Sequence, residues 1–397
     1  MHFLYVAAAC STLALPALSG LISRQALTPS TTGFDNATIH RSAGGKSICV
    51  SGIVPVKAQT DRNLRFTFGT FENQTLLTAT ISEATADGSS PKALLAGQQA
   101  VGGTYSIGAT MCMPETSPNT SAVQFITHGL FAERNYWDFA TDYSYVDVAT
   151  QAGYAAFFYD RVGTGQSQIV DGVNEKQAPL QLEIAIQLIE MLRAGHFGKE
   201  YSTVIGVGHS FGSFITQGVT AAAPEAFDAT ILTGYSVGVL SATNILLSAG
   251  LELANENQPW RFHNLPNDYL VLGSAVALQS GFYHFPGYDS DVFWLSHVTQ
   301  GAITLAEFLS TTSVQRPAKG YTSPVAVVNG AYDFGACAGN CTYPHNLAAD
   351  VAPALYPDVD ADRTDTYIAP LAGHGLVWHY SAYDAHQWIQ RFLKEKM

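Results

Sequence analysis

One serine stands between two glycines in the stretch VIGVGHSFGSF: Gly208-His209-Ser210-Phe211-Gly212. An apolar run precedes it and another follows. This is the pattern of a strand ending in a sharp turn into a helix, with the glycines letting neighbouring backbone pass closely and the serine exposed at the turn. The chemistry open to such a serine is nucleophilic attack; the competing reading is a serine that merely caps the helix. A hydroxyl is a weak nucleophile at neutral pH, so it needs a base, and the base needs an orienting acid.

Of the twelve histidines, His374 in LAGHGLVWH best fits the base, because it lies between two glycines just after the last expected strand. His379 and His386 are expected in the following helix, His345 near a cysteine pair, and His263, His284 and His297 in a separate insertion. Asp333 fits the acid, three residues after the strand PVAVVNG; Asp358, Asp360, Asp362 and Asp365 precede the last strand and so fall at the wrong end of a parallel sheet. Acyl chemistry also needs amide donors for an oxyanion. The amide of Phe211, next to the nucleophile, is one, and the amide of Leu130, after the strand-end pair His128-Gly129, is the other. His128 is read as a buried loop histidine rather than a base. Asp160 and Arg161 open the Gly-rich turn YDRVGTGQS and are read as structural, since that turn lacks the lysine of a phosphate-binding loop. No metal site is expected: His374 and His379 do not share a helical face, and no further ligand accompanies them.

These residues need elements to hold them. From Ala122 onward, short apolar runs (AVQFITHG, AAFFYD, STVIGVGHS, DATILTGYS, SPVAVVNGAYD, TDTYIAPLAGHG) alternate with helical stretches such as APLQLEIAIQLIEMLRAG, FGSFITQGVTAAAP and HYSAYDAHQWIQRFLKE. Nearly continuous apolar strands alternating with helices indicate an α/β fold, a mostly parallel central sheet with helices on both faces. Ser210, Asp333 and His374 then all fall at the C-terminal edge of the sheet, where ligands bind in such folds. Roughly 90 residues separate the strand near Gly234 from that at Pro324, too many for a structureless loop, so a helical cap over that edge is expected. Residues 46–114 favour strands, with SEATADGSSPKALLAGQQAVGG as a polar connection. The expected organisation is 1–19 signal peptide, 20–120 N-terminal extension and β-rich region, 121–235 first half of the core, 236–322 cap insertion, and 323–397 second half of the core.

Composition bounds the partners. The chain of 397 residues is 47% hydrophobic and carries a formal net charge of −13, which speaks against nucleic acid and against anionic membrane. The uncharged stretch 229–251 is interrupted by Thr, Ser, Asn and Gly, so no stable membrane span is expected. The opening MHFLYVAAACSTLALPALSG ends in the small-x-small pattern Ala17-Leu18-Ser19, as a secretory signal peptide does. Cys10 leaves with it. The remaining four cysteines permit three pairings, of which Cys49 with Cys112 and Cys337 with Cys341 is favoured; the first closes a long loop and contributes about 4 kcal/mol in the chain-entropy model. N-x-[ST] sequons at Asn36, Asn73, Asn119 and Asn340 are candidate glycosylation sites of a secreted protein. The sequence carries no signal of an oligomeric state.

Five elements in order, His128-Gly129, Asp160-x-x-Gly163-x-Gly165-x-Ser167, Gly208-x-Ser210-x-Gly212, Asp333 and His374, resemble the α/β-hydrolase superfamily from about Val123 to the C-terminus. Within it the sequence looks like esterase- or lipase-like secreted serine hydrolases of filamentous fungi. Serine at 210 sets it apart from the dehalogenases and epoxide hydrolases that resemble this fold but use aspartate there. The resemblance implies acyl transfer without a cofactor: Ser210 attacks, His374 takes the proton, Asp333 holds the imidazole, and the amides of Leu130 and Phe211 hold the oxyanion. The expected substrate is a carboxylic ester of an apolar small molecule or lipid. The alternative is an acyltransferase, a lactone-forming or lactone-opening enzyme, or a perhydrolase of fungal secondary metabolism with the same triad. A binding protein with an unused triad is the third reading.

Overall fold

A computed structural model describes residues 29–397, apart from 87–90, 116, 118 and 239–241. The expected signal peptide and Cys10 lie outside the described residues.

Among those residues the strands, in chain order, are β1 (Asp35–Arg41), β2 (Ser47–Phe66), β3 (Leu95–Pro114), β4 (Ala122–Thr127), β5 (Ala155–Tyr159), β6 (Thr203–His209), β7 (Ala229–Thr233), β8 (Glu252–Leu253), β9 (Tyr269–Val271), β10 (Ile303–Thr304), β11 (Val325–Gly330) and β12 (Thr364–Ala369). Nine of them form one sheet in the order β1-β2-β3-β5-β4-β6-β7-β11-β12. From β5 to β12 all neighbours are parallel; β1, β2 and β3 are added antiparallel to one another, and β3 pairs antiparallel with β5.

The helices are α1 (Gln74–Thr85), α2 (Tyr145–Gln151), α3 (Ala178–Arg193), α4 (Phe211–Ala222), α5 (Ala242–Ala249), α6 (Ala254–Asn257), α7 (Pro259–Phe262), α8 (Ala275–Phe282), α9 (Ser290–Val298), α10 (Leu305–Ser310), α11 (Phe334–Cys337), α12 (Val351–Leu355) and α13 (Ala382–Lys396). Two cores follow from the period of two along each strand. On β5, Ala155, Phe157 and Tyr159 join one core while Ala156 and Phe158 join the other; on β11, Val325 and Val327 part from Ala326 and Val328 in the same way. Leu182, Ala185 and Leu188 of α3 and Ile215 and Val219 of α4 cover the first face; Val146 of α2 and Ile389 and Leu393 of α13 cover the second. With water excluded from both faces, these strands carry apolar residues at nearly every position.

Three expectations change. The stretch 95–103, read as a connection, is the first half of β3: despite its glycines it is carried by pairing with β2, in a register that opposes Gln59 to Gly102 and Ala58 to Gly103. Before it lies α1, which the sequence reading did not assign; it is capped by Asn73, whose side chain accepts from the Leu76 amide, and it buries Leu77, Ile81 and Ala84. The insertion expected to be helical also holds a three-stranded antiparallel sheet in the order β10-β9-β8. The uncharged stretch 229–251 resolves into β7 and α5, and no described helix is long and apolar enough to cross a membrane.

Both favoured disulfides are present. Cys49–Cys112 joins directly opposed residues of β2 and β3, and Cys337–Cys341 braces the loop after Asp333. Asn36, Asn73, Asn119 and Asn340 are all exposed.

Candidate active site

Ser210 sits at the turn between β6 and α4 with φ +53° and ψ −119°. A non-glycine residue in that conformation is strained and persists because its surroundings hold it. Here the Ser210 amide donates to Thr233 O of the neighbouring strand at 2.8 Å. The flanking glycines are required by contact: a β-carbon at Gly208 would lie 2.5 Å from Gly212 O, and one at Gly212 would lie 2.2 Å from Thr127 O. The Ser210 side chain does not cap α4. Its hydroxyl faces His374 instead.

His374 Nε2 and Ser210 Oγ are 2.8 Å apart, and His374 Nδ1 lies 2.7 Å from Asp333 Oδ1. A carboxylate oxygen accepts, so Nδ1 carries the proton and Nε2 turns its lone pair to the serine hydroxyl. That is the tautomer a general base needs. Asp333 is fully buried and also caps α11, its Oδ1 accepting from the Ala336 amide at 2.7 Å. Its second oxygen has no partner among the described residues, leaving that negative charge for a protonated imidazole to satisfy. The acid and base loops are tied together: the Ala331 amide donates to Ala369 O and the Tyr332 amide to Ala372 O, both at 2.9 Å.

Leu130 and Phe211 line the same cavity as Ser210 and His374. The loop after β4 passes so close that a β-carbon on Gly129 would stand 3.0 Å from Ser210 Cβ. Neither the Leu130 nor the Phe211 amide donates to another described residue, so both are free for an oxyanion. His128 is fully buried and joins loops: Nδ1 donates to Gly129 O at 2.9 Å and Nε2 accepts from the Arg161 amide at 3.1 Å. Asp160 accepts from the Arg134 amide at 2.8 Å and the Gln166 amide at 2.9 Å, and pairs with the Arg134 guanidinium.

Two further histidines belong to the site, and the sequence reading gave neither this role. His209 packs with its ring 4.6 Å from Tyr136 and 5.0 Å from His374, while Nδ1 donates to Thr233 Oγ1 at 3.0 Å. Burial, then the neighbouring His374, hold its pKa well below the usual value, so it stays neutral beside the base. His379 is not in the last helix as expected but in the turn before it. Its Nε2 accepts from the Gly373 amide at 3.0 Å and the His284 amide at 3.1 Å, and Nδ1 donates to Gly375 O at 2.9 Å. It therefore clasps both neighbours of His374, and burial lowers its pKa to about 4, keeping it neutral for that task. The five-residue spacing from His374, with Tyr and Ser before the helical periodicity begins, is the only sequence signal for this turn. His345 lies at the surface, paired with Asp350 at 2.8 Å, and takes no part.

The cavity above Ser210 measures about 430 Å³. Leu64 and Leu95 enter it from β2 and β3, and Ile245, Leu272, Phe282 and Phe308 from the segment between β7 and β11. Among the described residues no Asp, Glu, Lys or Arg lines it. Such a pocket suits an apolar, uncharged group of drug-like size. No three described His, Cys, Asp or Glu residues gather as a metal site.

No protein-family model and no curated protein matches the chain. Among solved structures it is similar to a malate-bound thermophilic esterase from Thermogutta terrifontis (14% identity, 73% of this chain and 94% of that one, TM-score 0.49). It is also similar to an α/β-hydrolase fold protein from Chitinophaga pinensis (16% identity, 73% and 94%, TM-score 0.47) and to a monoacylglycerol lipase from Paleococcus ferrophilus (14% identity, 69% and 95%, TM-score 0.47). The fold is read from the molecule itself. Ser210 at the strand-to-helix turn after β6, Asp333 after β11, His374 after β12 and Gly129 after β4, all at the C-terminal edge of a mostly parallel sheet with helices on both faces, have the arrangement of the α/β-hydrolase fold.

Proposed function

We propose that the protein is a secreted serine hydrolase that cleaves a carboxylic ester of an apolar small molecule or lipid through an acyl-enzyme on Ser210. The observation that carries this reading is the unbroken chain of hydrogen bonds, Ser210 to His374 at 2.8 Å and His374 to Asp333 at 2.7 Å, beside an apolar cavity with free amides. His374 Nε2 takes the Ser210 proton as Oγ attacks the ester carbonyl. The oxyanion forms against the Leu130 and Phe211 amides, which bind it more strongly than the planar carbonyl. Protonated His374 is held by Asp333, then gives its proton to the departing alcohol. Water, deprotonated by the same imidazole, releases the acid and restores the serine. Residues 236–322 act as the cap that encloses the acyl group. Two disulfides and four exposed sequons support export and glycosylation.

The experiment is a panel of aryl esters of increasing acyl length, with the acid product measured for wild type and Ser210→Ala. The reading expects hydrolysis that falls by about 10⁶-fold on substitution. Equal rates for the two proteins would refute it. Adding a competing alcohol and measuring the new ester distinguishes transfer from hydrolysis.

A further inference from the structure

The mechanism above leaves a set of buried charges beside the oxyanion loop without a part. Arg161 is 1% exposed. Its Nη1 donates to Gln181 Oε1 at 2.6 Å and pairs with Glu307, a fully buried residue of α10. Glu307 also accepts from Gln181 Nε2 at 2.8 Å and lies 3.5 Å from the buried Lys176 ammonium. Burying a guanidinium takes it from water, a loss offset only by close pairing. The other face of this group points at the site. Nη2 donates to Gly129 O at 3.0 Å, and the guanidinium carbon stands 4.3 Å from the centre of the Phe211 ring.

The Gly129 carbonyl and the Leu130 amide are the two ends of one planar peptide. Its oxygen accepts from Arg161 Nη2 and from His128 Nδ1. The Arg161 amide donates to His128 Nε2, which fixes the proton on Nδ1. Two donors in different directions set the plane of the peptide and so the direction of its N–H. A charged donor on the oxygen also draws density from the amide nitrogen and makes the N–H a stronger donor.

We propose that Arg161 is a positioning residue for the oxyanion hole, acting through the Gly129 carbonyl on the Leu130 amide. The proposal rests on the acyl-transfer reading. It also gives the inserted segment a second part: α10 lines the cavity with Phe308 and holds the guanidinium with Glu307.

The test uses the whole protein as wild type, as the double variant Arg161→Met/Glu307→Gln, which removes the Arg161–Glu307 pair together and leaves the buried Lys176 ammonium to the Gly163 and Ala302 carbonyls, to which it donates at 2.9 and 2.7 Å, and as Glu307→Gln. Circular dichroism and thermal melts establish folding. The readouts are kcat and KM for an aryl ester, the affinity for an aryl trifluoromethyl ketone, whose Ser210 adduct carries an oxyanion, and the affinity for the matching secondary alcohol, which forms none. In the double variant kcat and ketone affinity both fall by about 10- to 100-fold, while KM and alcohol affinity stay within about threefold. Glu307→Gln, which keeps Arg161, loses less. A folded double variant with kcat and ketone affinity near wild type overturns the proposal, as does a parallel loss in all four quantities. Should the double variant not fold, Arg161→Lys, which keeps the charge but not the fork, must show the same split in smaller measure. A wild type that forms no ketone adduct, or one that Ser210→Ala forms equally, refutes the acyl-transfer reading and this proposal with it.

Discussion

The His374 imidazole rests on Gly335 so closely that a β-carbon there would stand 2.9 Å from Cε1 and Nδ1 and 3.0 Å from Nε2. Gly335 belongs to α11, the helix that Asp333 caps, so acid, helix and base pack as one unit. Gly335→Ala must push the ring from Ser210 or pull Asp333 from the ring. The expected result is a kcat lowered by about 10- to 100-fold, with KM nearly unchanged and only a few degrees lost from the thermal midpoint. Steady-state kinetics and a melt of the same preparation check it. Full activity would mean that the loop relaxes without cost.

Strands β2 and β3 help to wall the cavity above Ser210. Leu64 and Leu95 reach the cavity from β2 and β3, far in sequence from Ser210. Leu95→Trp fills space that a long acyl chain would occupy. Its KM for long-chain aryl esters rises by about 10-fold, while the acetate ester changes by less than about twofold. An unchanged chain-length profile would place the acyl group elsewhere.

Stability should fall on the acid side through two histidines. Burial lowers His379 to about 4 and His386 to about 3, from an ordinary value of 6.5. Both are neutral in the fold and take up a proton in the unfolded chain below pH 6.5. The unfolded state then binds more protons, so stability drops as pH falls from 6.5 toward 4 for His379 and toward 3 for His386, each by up to about 1.4 kcal/mol per pH unit. Glu133, lifted from 4.5 to about 7 chiefly by burial, acts in the opposite sense between those values. His386→Phe removes one of the acid-side contributions without touching the triad. Its thermal midpoint should drop less between pH 7 and pH 5 than that of wild type. An equal or larger drop would contradict this account.

Much of the site was legible because the strands that carry it are short and parallel, and all but the edge strand β12 are apolar along most of their length. AVQFIT, TVIGVGH, VAVVNG and TDTYIA each end where a loop begins, which brings Gly129, Ser210, Asp333 and His374 to one edge of the sheet. What escaped the sequence depends on contacts between distant residues. Arg161 and Glu307 are 146 positions apart, and nothing in either neighbourhood announces the other. Gly102 and Gly103 argue locally against a strand, yet pairing with Gln59 and Ala58 of β2 overrides them, while Gly97, at φ +115°, takes up the irregularity between the Leu64–Gln98 and Phe66–Leu95 pairs. The helix α1 did carry a signal, an Asn cap followed by Leu77, Ile81 and Ala84 at helical spacing, masked by the Thr and Ser between them. The strands β8 and β10 span two residues each, too short to leave a periodicity.

The measurement that bears most directly on the central claim is covalent labelling of the purified protein with a fluorophosphonate, with the modified residue mapped by mass spectrometry. The account predicts a single adduct on Ser210 in wild type and none in Ser210→Ala. A folded wild type that stays unlabelled, or an adduct that persists in Ser210→Ala, would contradict an activated nucleophile at the turn after β6.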